Sequence, residues 1–321
     1  MVASFRKIDY RVRPAKSIER KMLAESFRRL SEFENTSHYR YVGLGSLYFS
    51  DFMLFHKQLG CENMVSIEDT SDPVVKQRFH LNVPYGHIEM KFGNSAVVLQ
   101  TLPWEPKTIA WMDYDGPLVA SCLGDIEYMI RHAASGSILL LSINAGNINT
   151  TEIDAGDGAK IDAVGGLKRA VGAAALPPEV ANRDLSGWGV AKVYRTIVNE
   201  TISQALRTRN ATRLVGEKIN YRQLYNFHYT DGVKMLTLGG IVFDERDEAL
   251  VTKCAFDQMG FVRSGEDAYR IDPPNLTYLE MRQIDAHRRR PAVGLPLPPA
   301  DVAKYEQTYR YFPTFIEAEV S

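Results

Sequence analysis

Residues that could bind or react follow short apolar segments at regular intervals along the first half of the chain. They are Gly43 and Gly45, Glu68, Asn94 and Ser95, and Asp113 and Asp115. Glycines let backbone N–H groups approach a ligand closely, and a carboxylate at a strand end accepts hydrogen bonds from a ribose diol. Amide and hydroxyl side chains bind a base edge, and an acid beside the reacting group accepts a proton. The pattern indicates a nucleoside-like ligand beside a second substrate.

These positions require short strands that alternate with helices. The run Tyr39–Gly43 is typical of a strand, Ser50–Gly60 of a helix that ends at glycine, and Met64–Glu68 of a second strand. In such a strand–helix–strand unit the two strands are parallel, and the crossover between them is right-handed. The same alternation predicts further strands at 87–91, 108–113 and 137–143. The fold class is therefore α/β, with a doubly wound, mostly parallel sheet that binds ligands at the carboxyl ends of its strands.

Regular alternation stops after residue 143. We expect no strand in 144–231; residues 154–175 are rich in glycine and alanine, and 187–207 has the spacing of a helix. A connection of this length is usually functional, so we interpret it as a helical insertion or lid after strand 5. Strands resume at 233–243 and 261–271. The expected divisions are a basic arm and helix (1–38), a cofactor-binding half (39–145), the insertion (146–231), C-terminal strands (232–280) and a tail (281–321).

Composition excludes several classes of protein. A net charge of -1 argues against a constitutive polyanion binder. Three widely separated cysteines argue against a disulfide framework and a thiolate zinc site. No apolar run approaches the roughly 20 residues of a membrane span, and the first residues lack the features of a secretory signal. We therefore expect a cytoplasmic protein without a membrane partner.

The first forty residues carry ten basic and five acidic side chains. One interpretation is that Arg11, Arg13 and Lys16 bind a phosphate or another anion. The alternative is a solvated helix over 17–33, with Ser17 as its N-cap and an outward basic face formed by Arg20, Lys21, Arg28 and Arg29.

The order of the site positions resembles that of class I S-adenosylmethionine-dependent methyltransferases, over 39–145 and more loosely over 233–272. The resemblance implies a seven-stranded sheet, with 233–243 as the sixth strand and 261–271 as the antiparallel seventh. It also implies cofactor contacts by Gly43 and Gly45 to the methionine part, Glu68 to the ribose, Asn94 and Ser95 to adenine, and Asp113 and Tyr114 near the acceptor. The opening Tyr10–Lys16 is similar to that of bacterial proteins described as O-methyltransferases.

The function implied by this resemblance is methyl transfer from S-adenosylmethionine to a hydroxyl or amine. The acceptor is a small molecule or a nucleic acid, and Asp113 or Asp115 is the base. A Mg²⁺ ion held by Asp113, Asp115 and Asn144 is one alternative, since this ion binds few carboxylates and keeps waters. The sequence also leaves open a protein partner or a homo-oligomer.

Two departures from the family pattern favour a different function. Tyr41, which the resemblance implies as a further cofactor contact, stands where the family usually has an acid that seats the cofactor, and Leu47 replaces its third glycine. The alternative is a fold without turnover that acts as a nucleotide or cofactor sensor, or as the partner subunit of a bacterial assembly such as one for phage defence. A nicotinamide-dependent oxidoreductase fits less well, because the remaining glycine of its fingerprint is absent.

Overall fold

Eight β-strands form one mixed sheet in the computed structural model, which describes residues 13–146, 148, 161–287 and 296–313. The strands are β1 (Arg40–Leu44), β2 (Asn63–Glu68), β3 (Ile88–Phe92), β4 (Thr108–Asp113), β5 (Ser137–Asn144), β6 (Ile219–Asp231), β7 (Val233–Asp244) and β8 (Tyr269–Ile271). Their order is β3-β2-β1-β4-β5-β7-β6-β8, and only β7 runs antiparallel to its neighbours. The direction of strand succession reverses between β1 and β4, which is where open α/β sheets bind ligands.

Helices cover both faces of this sheet, as expected for a doubly wound fold. The helices are α1 (Pro14–Phe27), α2 (Ser50–Leu59), α3 (Pro73–Asn82), α4 (Ser95–Thr101), α5 (Ala120–His132), α6 (Ala163–Val171), α7 (Gly189–Asn210), α8 (Glu248–Lys253), α9 (Tyr278–His287) and α10 (Pro299–Thr308). One apolar core lies between the sheet and α1, α2, α3 and α8, and the other lies beneath α4, α5, α6 and α7. Within the described ranges, no helix is long and apolar enough to cross a membrane.

The late strands correct the sequence prediction. Residues 219–231, where no strand was expected, form β6, so 233–244 is the antiparallel seventh strand and β8 is an eighth. β6 was missed because one of its faces is polar yet buried, with Gln223 and Asn226 donating to backbone carbonyls of 263–266. A register shift between Gln223 and Tyr225 also interrupts the two-residue alternation by which strands are recognised.

Helix α1 differs from the helix predicted over 17–33. It begins at Pro14, has Arg13 rather than Ser17 at its N-cap, and gives way to a 3₁₀ turn at Arg28. Arg20, assigned by sequence to a solvated face, is only 8% exposed. The helix is covered from a second side by the C-terminal segment, where Tyr311 donates to Glu25 (2.6 Å) and Lys21 donates to the carbonyl of Phe312 (3.1 Å). The solvated-face interpretation is therefore wrong for much of this helix.

Gly240 of β7 offers a test of the sheet packing. A Cβ added there would lie 2.0 Å from the carbonyl oxygen of Arg222 on β6, so Gly240→Ala must push two paired strands apart. We expect the free energy of unfolding to fall by about 1–3 kcal/mol or more in urea denaturation. The control is Gly124→Ala on the exposed side of α5, where nothing lies within 4 Å of the added Cβ. Removal of this helical glycine should stabilise the protein by about 1 kcal/mol, and equal behaviour of the two variants would contradict the packing described.

Candidate functional site

The turn after β1 brings Gly45 against the end of β2. The Gly45 N–H donates to the carbonyl of Ile67 (2.7 Å). A Cβ at Gly45 would lie 2.7 Å from Ser66 Oγ and 3.5 Å from Glu68 Oε2. The structure therefore brings Gly45 and Glu68 together, as the sequence predicted; a side chain at position 45 would clash with Ser66 Oγ and would contact the carboxylate. Ser66 Oγ is buried and has no hydrogen-bond partner among the described residues.

Gly43 has a different neighbour. A Cβ at this position would lie 2.7 Å from the hydroxyl oxygen of Tyr41, whose ring is fully buried between Phe52 and Phe55. The Tyr41 hydroxyl donates to the carboxylate of Asp51 in the first turn of α2. The sequence assigned a cofactor contact to Tyr41, but the structure places its side chain beneath the glycine turn, where it has no surface to offer a ligand.

Two charged residues that sequence reasoning did not assign to the site are Arg20, which is 8% exposed, and the partly buried Asp51, on which the charge of Arg20 acts. Burial raises the pKa of Asp51, and the positive charge of Arg20 opposes that rise. Arg20 Nε has no acceptor within the described part of the chain. The signal for this pair was weak, because an arginine in a helix and an acid in a first helical turn both have common structural explanations.

The Glu68 carboxylate is half-buried at the end of β2 and accepts no hydrogen bond from any described residue. Its backbone carbonyl accepts from Gly93 N–H (3.0 Å), which places the turn after β3 beside it. Burial raises the pKa of Glu68 to about 7, and the negative charges of Asp115 and Asp69 add to this effect. A ligand that donates hydrogen bonds to this half-buried carboxylate would stabilise its ionised form.

Asn94 lies in the turn after β3, directly after Gly93, whose N–H donates to the Glu68 carbonyl. Its side-chain oxygen accepts from Ala96 N–H (3.0 Å) and caps α4, while its amide nitrogen lies 3.4 Å from Asp69 Oδ2. The oxygen is therefore engaged in the fold, and the amide N–H₂ is the part of Asn94 that faces the strand ends.

Ser95 and Tyr114 are tied together by an acid that the sequence analysis overlooked. Ser95 Oγ donates to Asp125 Oδ2 (2.5 Å), and the Tyr114 hydroxyl donates to the same oxygen. Asp125 is 1% exposed and lies on the apolar side of α5, between Cys122 and Ile126. The sequence signal that could have identified Asp125 was an acid at a core-facing position of a predicted helix. Both hydroxyls are therefore hydrogen-bonded within the fold. Ser95, Tyr114 and Asp125 together form a wall of the site that joins α4, the turn after β4 and α5.

Asp113 is held by a buried ammonium. Lys16 Nζ lies 2.8 Å from Asp113 Oδ1 and 2.8 Å from Glu19 Oε2, and it donates to the Tyr229 hydroxyl (3.1 Å). The same nitrogen lies 4.3 Å from the centroid of the Trp111 ring. Lys16 is 2% exposed, so the proposed anion-binding role of this lysine has no open surface to support it. Burial raises the pKa of Glu19, and the neighbouring Lys16 charge opposes that rise.

The other members of the predicted basic arm lie elsewhere. The Arg13 guanidinium donates to the carbonyl of Asp231 (3.4 Å), and Lys16 N–H donates to the carboxylate of the same residue (2.9 Å). Arg11 lies outside the described residues. The start of α1 is therefore fastened to the end of β6.

The magnesium alternative is not supported. Asp113 pairs with Lys16, and Asn144 Oδ1 accepts from Gly146 N–H (2.8 Å). Asp115 is exposed in the turn that follows β4, and its charge acts on Glu68. Across the ranges that the structure describes, no three His, Cys, Asp or Glu side chains are grouped so that they could hold a metal ion.

Replacing Lys16 tests the buried charge cluster. Lys16→Met leaves the carboxylates of Glu19 and Asp113 without their cation, and we expect the free energy of unfolding to fall by about 3–5 kcal/mol. Adding Glu19→Gln to this variant should restore part of the loss, because it removes one of the two uncompensated charges. The exposed Lys57→Met on α2 is the control, and a similar small effect in both single variants would show that the cluster carries no such energy.

The family described as "Putative O-methyltransferase" matches residues 8–320. Among solved structures, a putative O-methyltransferase from Klebsiella pneumoniae has 12% identity over 74% of this chain and 93% of its own, with a TM-score of 0.34. TomG, an O-methyltransferase from Streptomyces achromogenes solved with S-adenosylmethionine, has 14% identity over 68% and 78%, with a TM-score of 0.35.

A probable spermidine synthase from Corynebacterium glutamicum has 8% identity over 86% of this chain and 85% of its own, with a TM-score of 0.41. The search among curated proteins found no match. These structural likenesses are distant. The family is shown by the family match, which spans nearly the whole chain. Together with the strand order and the antiparallel seventh strand, it shows that this chain belongs to the family described as putative O-methyltransferases and has its methyltransferase-like α/β fold.

Proposed function

We propose that this protein transfers a methyl group from S-adenosylmethionine to a hydroxyl or amine of its acceptor. The observation that carries the proposal is the Glu68 carboxylate, which stands at the end of β2 against the bare backbone of Gly45 and has no donor from the described residues. A ribose diol supplies two hydroxyl donors of the kind that such a carboxylate lacks. The family match supports methyl transfer as the reaction.

The surrounding residues fit the other parts of the cofactor. The Asn94 amide can donate to the adenine, beside the wall formed by Ser95, Tyr114 and Asp125. Arg20, whose Nε has no acceptor among the described residues and whose charge acts on Tyr41, suits the carboxylate of the methionine part. The acid that the family has at the position of Tyr41 is replaced here by Asp51, which reaches the same place through the Tyr41 hydroxyl.

S-adenosylmethionine supplies an electrophilic methyl group, so the residues of this chain have only to orient the acceptor and remove its proton. Asp113 and Asp115 flank the acceptor side of the strand ends and differ in their surroundings. Asp113 is paired with Lys16 at the end of β4, whereas Asp115 is exposed in the turn that follows. In this proposal Asp115 accepts the proton and Asp113 orients the acceptor.

A second candidate is a protein of this fold that binds the cofactor without turnover and acts as a sensor or partner subunit. The ion pair between Lys16 and Asp113 favours it, because an engaged carboxylate is a poor proton acceptor. Transfer of a radiolabelled methyl group to any of a panel of small hydroxylated acids would decide for the enzyme.

Calorimetric titration with S-adenosylmethionine tests cofactor binding. We expect a dissociation constant of about 1 μM, which is about -8 kcal/mol. Glu68→Ala should weaken binding by about 10- to 100-fold, because it removes the acceptor of charge-assisted hydrogen bonds from the ribose. Glu62→Ala is the matched control, since Glu62 is exposed just before the opposite end of β2. Equal affinity of the two variants would exclude Glu68 as the ribose ligand.

The raised pKa of Glu68 makes cofactor affinity depend on pH. Because the ionised carboxylate is the better acceptor, affinity should fall as pH drops below about 7 and stay level above it. Asp115→Asn removes a negative charge that raises this pKa, so the fall should move to lower pH. Asp257→Asn, an exposed acid outside the strand-end site, should leave the midpoint unchanged. A midpoint that does not move in Asp115→Asn would contradict this arrangement of charges.

A further inference from the structure

A group of basic side chains surrounds an aromatic stack at the start of α7. Trp188 stacks on His228 of β6, with ring centroids 4.6 Å apart and an interplanar angle of 9°. Lys234 Nζ lies 5.8 Å and Arg270 Cζ 5.7 Å from the centroid of the Trp188 ring. Lys192 lies one helical turn beyond Trp188, and its N–H donates to the Trp188 carbonyl (3.3 Å). We call Lys192, Lys234 and Arg270 the cationic cluster.

The cationic cluster lies at the same edge of the sheet as the predicted cofactor site. The Ala145 N–H, just after β5, donates to the carbonyl of Lys234 at the start of β7 (2.8 Å). The preceding Asn144 N–H donates to the carbonyl of Gly116 in the turn after β4 (2.9 Å). Arg270 pairs in register with His228 on the neighbouring strand. The end of β5 therefore separates the acidic turn from the cationic cluster.

The three cations have no anionic partner among the residues that the structure describes. No described carboxylate lies within ion-pair distance of any of them; Lys192 and Arg270 are exposed, and Lys234 is half-buried. Asp231, the acid closest to Lys234 along the chain, accepts instead from Lys16 N–H. Cation–π attraction to Trp188 holds Lys234 and Arg270 near each other in spite of their like charge.

His228 does not add to this positive charge. It is 5% exposed, and burial together with the charges of Arg270 and Lys192 lowers its pKa to about 4. Its imidazole is therefore neutral near pH 7 and serves as an uncharged stacking partner.

The two halves of the edge carry opposite charges. Acids lie at or just after the ends of β2 and β4, namely Glu68, Asp69, Asp113 and Asp115. Beyond β5, Lys234 lies at the start of β7, Arg270 on β8 and Lys192 on α7, and the carboxylate of Asp231 at the end of β6 accepts from Lys16 N–H. On the proposed function, the acidic half suits a donor that carries a sulfonium. We propose that the cationic cluster binds an anionic group, a phosphate or carboxylate, of the methyl acceptor. Lysine and arginine side chains bind both anions through charge-assisted hydrogen bonds.

Tryptophan fluorescence can measure this binding directly. Trp111 and Trp104 are 1% and 7% exposed, so Trp188 is the most accessible of the three indoles. The probes are phenyl phosphate and benzoate, with benzyl alcohol as the uncharged analogue. We expect saturable quenching by one or both anions and none by benzyl alcohol. The anion that binds more tightly identifies phosphate or carboxylate as the group recognised.

The variants Lys234→Gln and Arg270→Gln should each weaken binding of the anionic probe by about tenfold or more. The exposed Lys168→Gln on α6 is the matched control and should bind as the unmodified protein does. Equal weakening in Lys168→Gln, unsaturable quenching, or unchanged binding in Lys234→Gln and Arg270→Gln would each overturn the proposal.

The same variants separate this inference from the proposed function. Lys234→Gln and Arg270→Gln should keep the affinity for S-adenosylmethionine, and Glu68→Ala should keep the affinity for the anionic probe. If S-adenosylmethionine binds but the cluster variants do not affect the probe, the inference fails and the proposed function stands. If the probe binds but S-adenosylmethionine does not, the proposed function fails, and with it the assignment of the anion to a methyl acceptor.

Discussion

A single buried ammonium, that of Lys16, joins the first helix to two strands that carry the candidate site. It contacts an acid at the end of β4, an acid one turn later in its own helix and a tyrosine hydroxyl on β6. Removing such a charge from water is costly, and the cost is offset only when all three oxygens and the underlying Trp111 ring are in place. The position of Asp113 at the site therefore depends on the docking of α1, far from it in sequence.

Most of the sheet could be predicted because its strands follow simple rules. The apolar segments that became β1, β2, β4 and β5 are buried on both faces, and the acids and amides that follow them lie at one edge because parallel strands end together. The prediction of a nucleoside-type site at that edge came from this constraint. The strand predicted over 261–271 was wrongly placed as the antiparallel seventh, because only 269–271 form a strand, β8, which pairs parallel to β6.

What could not be predicted depends on contacts between distant parts of the chain. Ser95 and Tyr114 have side chains suited to a ligand, but their hydroxyls are taken by Asp125, which is thirty residues from one of them. The sequence assigned Lys16 to an anion site and Arg20 to a solvated face, but both side chains are buried, because β6 and the C-terminal segment pack against the helix. Local pattern reveals what a side chain can do, and only the tertiary structure shows whether it is already occupied.

Residues 309–312 pack against α1, and this contact affects the order in which the chain folds. Arg310 and Tyr311 engage Glu25, and Phe312 accepts from Lys21, so one of the earliest helices to be synthesised is covered by one of the last segments. Contacts this distant in sequence form late, because a long loop must close before they contribute. During translation the strands can pair one after another, whereas α1 makes these contacts only after residues 309–312 have been synthesised. The contacts between 309–312 and α1 are then among the last to form.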